Sequence, residues 1–309
     1  MTRSRASILW RTQNFLRDPL LAERLAMRAG IGPTDVVYDL GAGAGVLTAA
    51  IARRAARVVA VEKDPTLADH LRARFDGHPN VAIREADIRT YPLPHADYVV
   101  FASPPFDLTA EIIQRLTSAA VPPRDACLVL QREAAERFVG SPRQTLAALR
   151  IAPWFSIDVL HRFERTDFTP APAVDVVFVR LHKRGPPLVP PGDAQLYRDL
   201  VATVFAAWRP SVGRSLSDAI GARPAARLLA AAGVDPTSRP SAIPLSRWLV
   251  LVEQFSRLPE PMRAQVFGAE LRLRRRQRRL IKSHRTRAPR DELPVPLERY
   301  PIRCLKQPL

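Results

Sequence analysis

The 309-residue sequence predicts a Rossmann-like, doubly wound α/β domain followed by a small all-helical domain and a basic tail. Three observations carry that reading. Short apolar runs alternate with helical stretches through the first half of the chain, and a glycine turn stands directly after the first run. A proline-rich segment near residue 190 then separates this region from one of purely helical spacing.

Residues 20–29 have amphipathic helical spacing, and Ile31-Gly32-Pro33-Thr34 turns the chain out of that helix. Val36 to Leu40 is a short apolar run ending at a glycine, as a buried strand does. Further strands are expected at 57–62, 81–84, 98–102 and 127–131, with helices over about 45–55, 65–75, 109–118 and 132–140. Strands and helices alternating at this length build βαβ units, hence a parallel sheet covered on both faces. The late pair at 155–163 and 174–181 suits an antiparallel edge hairpin. Gly185-Pro186-Pro187-Leu188-Val189-Pro190-Pro191-Gly192 reads as a linker and bounds a first domain over 1–184. Helical spacing at 193–207, 214–232 and 244–257 then makes a helical domain over 193–258. Residues 259–309 are expected as a flexible, basic Pro/Arg-rich tail, with ten Lys/Arg and no acid from Leu271 to Arg290.

Composition narrows the class. A chain with 47% hydrophobic and 25% charged residues is neither disordered throughout nor a small scaffold that needs staples. No stretch approaches the roughly 18 uncharged apolar residues of a membrane span. The first apolar run, Ala6 to Trp10, is cut off by Arg11 and is too short for a secretory core. Four Arg and no acid in the first 17 residues leave a transit peptide open. Cys127 and Cys304 lie far apart without neighbouring His or Cys, so no disulfide framework or metal signature is expected, which fits a reducing cytoplasm. Lys+Arg 47 against Asp+Glu 30 leaves +17, and a protein this basic meets a polyanion, by default nucleic acid. Only four of the 47 are lysine. A GC-rich genome explains that equally well, although Arg is also the better bidentate phosphate ligand.

Asp39-Leu40-Gly41-Ala42-Gly43-Ala44-Gly45 follows the first strand and opens a helix. Glycines let backbone approach a ligand, and a helix N-terminus offers unpaired N–H donors. The spacing is G-x-G-x-G rather than the dinucleotide G-x-G-x-x-G, and alone it is equally a structural strand-to-helix turn. Glu62 ends the next strand about 20 residues on, where a carboxylate can accept from both ribose hydroxyls of a nucleoside. Asp87, in Ala86-Asp87-Ile88, ends the third and can accept from an adenine amino group. Three acids at consecutive strand ends around one glycine turn point to an adenosine-containing cofactor. The absence of a P-loop lysine disfavours a nucleoside triphosphate.

The fourth strand ends in Phe101-Ala102-Ser103-Pro104-Pro105-Phe106. Proline cannot continue a central strand, so the chain turns out at the carboxyl edge, where ligands bind. An exocyclic amine on a nucleobase is a poor nucleophile because its lone pair is delocalised into the ring. A side-chain oxygen and a backbone carbonyl that both accept from the NH2 favour its pyramidal form. A flat aromatic then stacks the base once it has been turned out of its helix. Ser103, the carbonyl of Pro104 and Phe106 supply those parts. An irregular proline turn with a core Phe is the alternative.

With these residues in view, the sequence resembles the rRNA adenine N6-methyltransferases, meaning the erythromycin-resistance (Erm) enzymes and the related small-subunit dimethyladenosine transferases. The resemblance runs from about residue 11 to 258. Thr12-Gln13-Asn14-Phe15-Leu16 is similar to the family's N-terminal signature, which implies that Gln13, Asn14 and Leu16 line the methyl-donor pocket. Asp39, Gly41 and Gly43 match its glycine motif, Val61-Glu62-Lys63-Asp64 its ribose-binding acid, and Asp87 with Ile88 its adenine-binding acid. Leu130-Gln131-Arg132-Glu133 matches a strand-to-helix motif. Phe168-Thr169-Pro170-Ala171-Pro172-Ala173-Val174 matches the Phe-x-Pro-x-Pro-x-Val loop, whose aromatic faces the target base. That makes Phe168 the second stacking partner of Phe106. The resemblance implies S-adenosylmethionine as cofactor, no metal, and methyl transfer to an adenine N6 of 23S rRNA, naked or in the assembling large subunit. It also implies macrolide-type resistance, a cytoplasmic monomer and no membrane partner.

One position departs from the family. Its catalytic motif begins with Asn, in the pattern Asn-(Leu/Ile)-Pro-(Tyr/Phe), where this chain has Ser103-Pro104-Pro105-Phe106. Ser-Pro-Pro-aromatic also resembles the motif of DNA methyltransferases acting on exocyclic amines, cytosine N4 especially. A non-catalytic RNA-binding relative stands as an alternative on the strength of Ser103, and a 16S rRNA dimethyltransferase as another, although the Arg tail and the altered motif count against it. For RNA contact the candidates are Arg132 and Arg137 near the site mouth and Arg274, Arg275, Arg276, Arg278 and Arg279 in the tail. A solvated helix or a disordered end is the competing reading of that charge run.

Overall fold

The computed structural model describes residues 15–207 and 209–278. The chain enters through a two-residue strand, β1 (Phe15–Leu16), and the helix α1 (Pro19–Arg28). Asp18 caps that helix by accepting from the Leu20 N–H at 2.8 Å, and Pro19 pre-sets its first turn. The alternation expected from the apolar runs follows. It comprises β2 (Val36–Leu40), α2 (Val46–Ala52), β3 (Arg57–Glu62), α3 (Pro65–Arg74), β4 (Val81–Glu85), β5 (Val99–Ala102), α4 (Thr109–Thr117) and β6 (Asp125–Gln131). Then come α5 (Arg132–Val139), α6 (Leu146–Ile151), β7 (Phe155–Arg162), β8 (Phe168–Thr169) and β9 (Val176–Lys183).

The main sheet has the order β4-β3-β2-β5-β6-β9-β7. Its first five strands are parallel, and β9 runs antiparallel to both β6 and β7, the edge hairpin that the sequence predicts. Helices cover both faces. On one, Leu21, Leu25, Leu47 and Ile51 pack against Val37, Val58, Val99 and Phe101. On the other, Ile112, Ile113 and Leu116 of α4 pack against Leu40, Val100, Leu128 and Val179. Strands buried on both faces read as continuous apolar runs, which is why they are visible in sequence. Elements too short to show a period, α6 and the antiparallel pair β1·β8, are not.

Beyond the linker lie α7 (Ala194–Ala206), α8 (Val212–Ile220), α9 (Ala222–Ala231) and α10 (Leu245–Ser256) around a second core. Residues 214–232, expected as one helix, are two. Gly221 has φ +90° and ψ 154°, outside the helical region, and ends the first. The two cores are tied together. Leu149 of α6 belongs to the helical core, and its carbonyl accepts from the buried Tyr197 hydroxyl at 2.7 Å.

The tail expectation needs correction. Residues 260–278, expected within a flexible segment, form α11 (Glu260–Ala264) and α12 (Ala269–Arg278). Val266 is fully buried, and the buried Asp199 accepts from the N–H groups of Gly268 (3.1 Å) and Glu270 (2.9 Å), capping α12. Glu270 is 6% exposed and pairs with Arg150 (2.6 Å), Arg274 (2.8 Å) and Arg198 (3.5 Å). Burial raises its pKa, but the guanidiniums of Arg150 and Arg274 outweigh that and hold it below the usual carboxylate range. Two buried acids therefore dock a helix that its arginines alone leave unplaced. No helix among the described residues is long and apolar enough to cross a membrane.

Trp248 is fully buried at the centre of the helical core, with the Phe205 ring 5.9 Å away. Trp248→Ala should cost about 3–5 kcal/mol, the transfer and cavity cost of losing a large core side chain. Urea titration reads it as a fall in the unfolding midpoint. A midpoint within experimental scatter of the parent would mean that the helical core does not rest on this residue.

Candidate active site

The site forms where β2, β3, β4 and β5 end side by side. After Leu40 the chain passes through Gly41 (φ +86°), Gly43 (φ +54°) and Gly45 (φ +78°) before α2 begins. These left-handed conformations suit glycine. Space explains two of them differently. Nothing lies within 4 Å of a Cβ built on Gly41, so its surroundings are open, whereas one on Gly45 would meet Leu71 Cδ2 at 2.6 Å. Gly41 borders a cleft, and Gly45 lets α3 pack against the start of α2.

Hydrogen bonds hold the turn to the next strand. The N–H groups of Gly41 and Ala42 donate to the Val61 carbonyl, at 2.8 and 3.1 Å. Glu62, 3% exposed, accepts from the Gly43 N–H at 2.9 Å through Oε2, and from the Lys63 and Asp64 N–H groups through Oε1. Asp64 in turn caps α3, and Arg74 donates to the Ala44 carbonyl at 2.5 Å.

The resulting cleft is lined by Leu16, the turn from Gly41 to Ala44, Glu62, Lys63, Asp87 and Ile88. Ser103, Pro104, Pro105 and Phe106 line it too. Pro104 is buried and Phe106 half-buried, and the Pro105 carbonyl is used by the Leu108 N–H at 2.9 Å. Asp87 is clamped by Arg89, whose Nε lies 3.0 Å from both carboxylate oxygens. That guanidinium holds the Asp87 carboxyl down at about 2.

Two expected residues stand elsewhere. Asp39 does not reach the cleft. It is completely buried beneath the turn, where Oδ2 accepts from the Thr48 hydroxyl at 2.6 Å and Oδ1 has no partner among the described residues. Burial pushes its pKa up to about 7, with the neighbouring Glu62 charge adding a smaller push. Phe168 is 2% exposed. Strand β8 pairs with β1, Leu16 opposite Phe168, and its ring packs 5.0 Å from Phe163 in the sheet core. In this conformation it offers no face to a base. Proline spacing identifies the loop but not the direction of its aromatic.

Of the expected RNA contacts, Arg132 is paired with Asp175 (2.9 Å) and Glu136 (3.6 Å), in a hollow shared with Arg165. Arg137 and Arg274 line a separate groove beside α4, and Arg275 and Arg276 are exposed on α12. Gln13, Asn14, Arg279 and the Arg278 side chain lie outside the described residues. Sequence reasoning missed Val46, Leu47 and Leu108, which also line the cleft. Their only signal is adjacency to the motifs, because apolar lining carries no chemical pattern. Among the described residues no cluster of His, Cys, Asp and Glu is placed to hold a metal.

A seven-stranded doubly wound sheet with this glycine turn, buried acid and proline turn at one edge defines an α/β methyltransferase. Residues 11–256 match the model of the ribosomal RNA adenine dimethylase family, and the chain belongs to that family. It is an rRNA adenine methyltransferase. The chain is 30% identical over 254 residues to an rRNA adenine N-6-methyltransferase of Saccharopolyspora erythraea, covering 82% of this chain and 66% of that one. An rRNA methyltransferase of Streptomyces thermotolerans is 33% identical over 244 residues, 78% of this chain and 81% of that one. Among solved structures, the 23S rRNA methyltransferase ErmE superposes with a TM-score of 0.73 at 29% identity, covering 79% of this chain and all of that one.

Asp39 makes the fold pH-dependent in a definite direction. Its folded pKa, about 7, lies above the ordinary carboxylate range near 4, so its contribution is complete below about 4 and lost as pH rises through about 7. Asp39→Asn keeps an acceptor for Thr48 and has no proton to lose. The variant's stability relative to the parent should therefore be greater at pH 7.5 than at pH 4, read from urea midpoints. A difference that does not change with pH would mean Asp39 is ionised in the folded protein throughout.

Proposed function

We propose that this enzyme transfers a methyl group from S-adenosylmethionine to N6 of an adenine in 23S rRNA and thereby confers macrolide-type resistance. One observation carries the reading. A single cleft is lined by the glycine turn, Glu62 and Asp87 together with the Ser103–Phe106 turn. The glycine turn and the two acids suit an adenosine-containing donor. Gly41 leaves the space beside its Cα open, and Glu62 presents a buried acceptor for ribose hydroxyls. Asp87 and the buried Ile88 are the residues to hold the adenine. Leu16 closes the cleft, with Gln13 and Asn14 just before it in sequence.

S-adenosylmethionine supplies an electrophilic methyl on a sulfonium. The chain's own work is positioning and hydrogen bonding, with no covalent intermediate. Ser103 and the Pro104 carbonyl accept from the N6 amine and localise its lone pair, while Phe106 stacks the extruded base. As the N6 lone pair forms the new N–C bond, the bond from that methyl to sulfur breaks and leaves a neutral thioether, and the surplus amine proton passes to solvent. Arg137 and the arginines of the C-terminal region (Arg274, Arg275, Arg276, Arg278 and Arg279) take RNA phosphates, with Arg132 available only against its two acids. We place the enzyme in the cytoplasm as a monomer acting on naked or assembling rRNA. The name of the ErmE neighbour supports the 23S target. A non-catalytic RNA-binding role is the second reading, favoured by Ser103 where the family has Asn, and the intact Glu62 and Asp87 oppose it.

Methyl transfer from labelled donor to separated 16S and 23S rRNA tests the proposal. Label in 23S is expected, label in 16S points to the small-subunit activity, and none in either overturns catalysis. Glu62→Ala should weaken donor binding by about 1–3 kcal/mol by calorimetry. Unchanged affinity would remove Glu62 from the cofactor site. Ser103→Ala should slow transfer about 10²–10³-fold if the hydroxyl stabilises developing charge. Ser103→Asn should raise the dimethyl fraction counted by mass spectrometry, because after one methylation a single N–H is left for two acceptors. Full activity of Ser103→Ala would leave Phe106 and the Pro104 carbonyl as the working parts.

A further inference from the structure

Residues 260–278 lie beyond the family match, which ends at residue 256, yet they are helical and docked. Between them and the outer face of α4 runs a groove of about 1120 Å³. It starts at Ala110, two residues beyond the Leu108 that lines the active-site cleft, and continues along α4 to Ser118. Its character is mixed. Arg137, Arg150, Arg198, Arg263 and Arg274 line it, as do Phe267, 48% exposed, and Leu271, 52% exposed.

The groove's five arginines outnumber its three acids, Asp193, Asp199 and Glu270, and the last two are committed elsewhere. Asp199 accepts backbone N–H groups at the start of α12. Glu270 faces three guanidiniums, so Arg150, Arg198 and Arg274 keep a surplus of two positive charges over it. Among the described residues Arg137 and Arg263 have no acidic partner, and Arg263 Nε is buried without a hydrogen-bond partner. Unpaired guanidiniums beside exposed apolar faces match a single-stranded polynucleotide, whose phosphates take the charge and whose bases stack on aromatic and apolar surface.

We propose that this groove binds the single-stranded RNA flanking the target base, and that Glu270 is its positioning residue, an acid that raises RNA affinity by holding α12 in place. The groove rests on the methyltransferase reading for its substrate class. It extends the RNA path from the cleft along α4 and assigns to a docked helix what a loose polycation would otherwise do. The sign of the Glu270 effect separates the two. On a loose basic tail, removing an acid strengthens binding to RNA. On a built groove it weakens binding, because α12 loses its anchor.

The test uses the full chain and a fluorescent single-stranded RNA of about 12 nucleotides, a length within the usual range for such sites. Glu270→Gln should bind that RNA more weakly although its net charge rises by one. The surface double variant Arg137→Ala, Phe267→Ala, which leaves the α12 anchor intact, should bind about tenfold more weakly with a shallower salt dependence. Donor affinity should be unchanged in both. Binding by Glu270→Gln as tight as the parent or tighter, or an unaffected double variant, overturns the groove. Methyl transfer by the parent, measured alongside, keeps the two readings apart. Transfer to 23S rRNA with groove-independent binding sinks only the groove, and groove-dependent binding without transfer to 23S rRNA sinks only the 23S assignment.

Discussion

Everything at the active edge depends on the Glu62 carboxylate. Its three backbone donors, Gly43, Lys63 and Asp64, join the turn after β2 to the end of β3 and to the start of α3. A buried carboxylate without such donors would be costly, and with them it becomes a clamp. The strand register, with Leu40 opposite Val61, sets Gly41 and Ala42 against the Val61 carbonyl and brings Gly43 to Glu62. An ionised carboxylate has about four acceptor positions, and three are already used by the backbone. Both ribose hydroxyls of a bound nucleoside therefore cannot each take a fresh position. One must share with a backbone N–H, which ties the shape of the glycine turn to occupancy of the cleft.

What the sequence reveals of this arrangement follows from where its physics is local. Strands buried on both faces are apolar throughout, so β2, β3, β5 and β6 stand out and their ends fall at Asp39–Leu40, Glu62, Ala102 and Gln131. Glycine at positive φ is also local, which makes the turn visible. Direction is not. Asp39 and Glu62 are both acids near strand ends, but Asp39, one residue before the end of β2, points under the turn to Thr48, and Glu62, the last residue of β3, points to Gly43. Alternation along a strand would distinguish the two faces only if one were polar. Phe168 fails for the same reason. Its loop is marked by prolines, while its burial is decided by pairing with β1, some 150 residues earlier in the chain.

That pairing has its own consequence. Leu16 lines the cleft, and Phe168 sits opposite it in a two-residue ladder that the Arg17 N–H extends to the Asp167 carbonyl at 2.9 Å. A base can reach the Phe168 ring only if the ladder parts or the ring leaves Phe163. Phe106, half-buried at the end of the proline turn, needs no such rearrangement. Of the two aromatics, only Phe106 lines the cleft.

Charge is the least local property of all. A net +17 describes the whole chain, but a guanidinium attracts phosphate only to the extent that no carboxylate holds it first. Arg132 sits in the strand-to-helix motif and is held by two acids, while Arg137, one turn further along α5, has no acidic partner among the described residues. The run from Arg272 to Arg276 reads as a solvated surface, yet Glu270 at its start buries against Arg150 and Arg198 and pins the helix that carries the run. One acid thus turns the beginning of a basic tail into a wall of the protein. Arg274 on that wall lines a groove shared with α4, the helix that follows the Ser103–Phe106 turn.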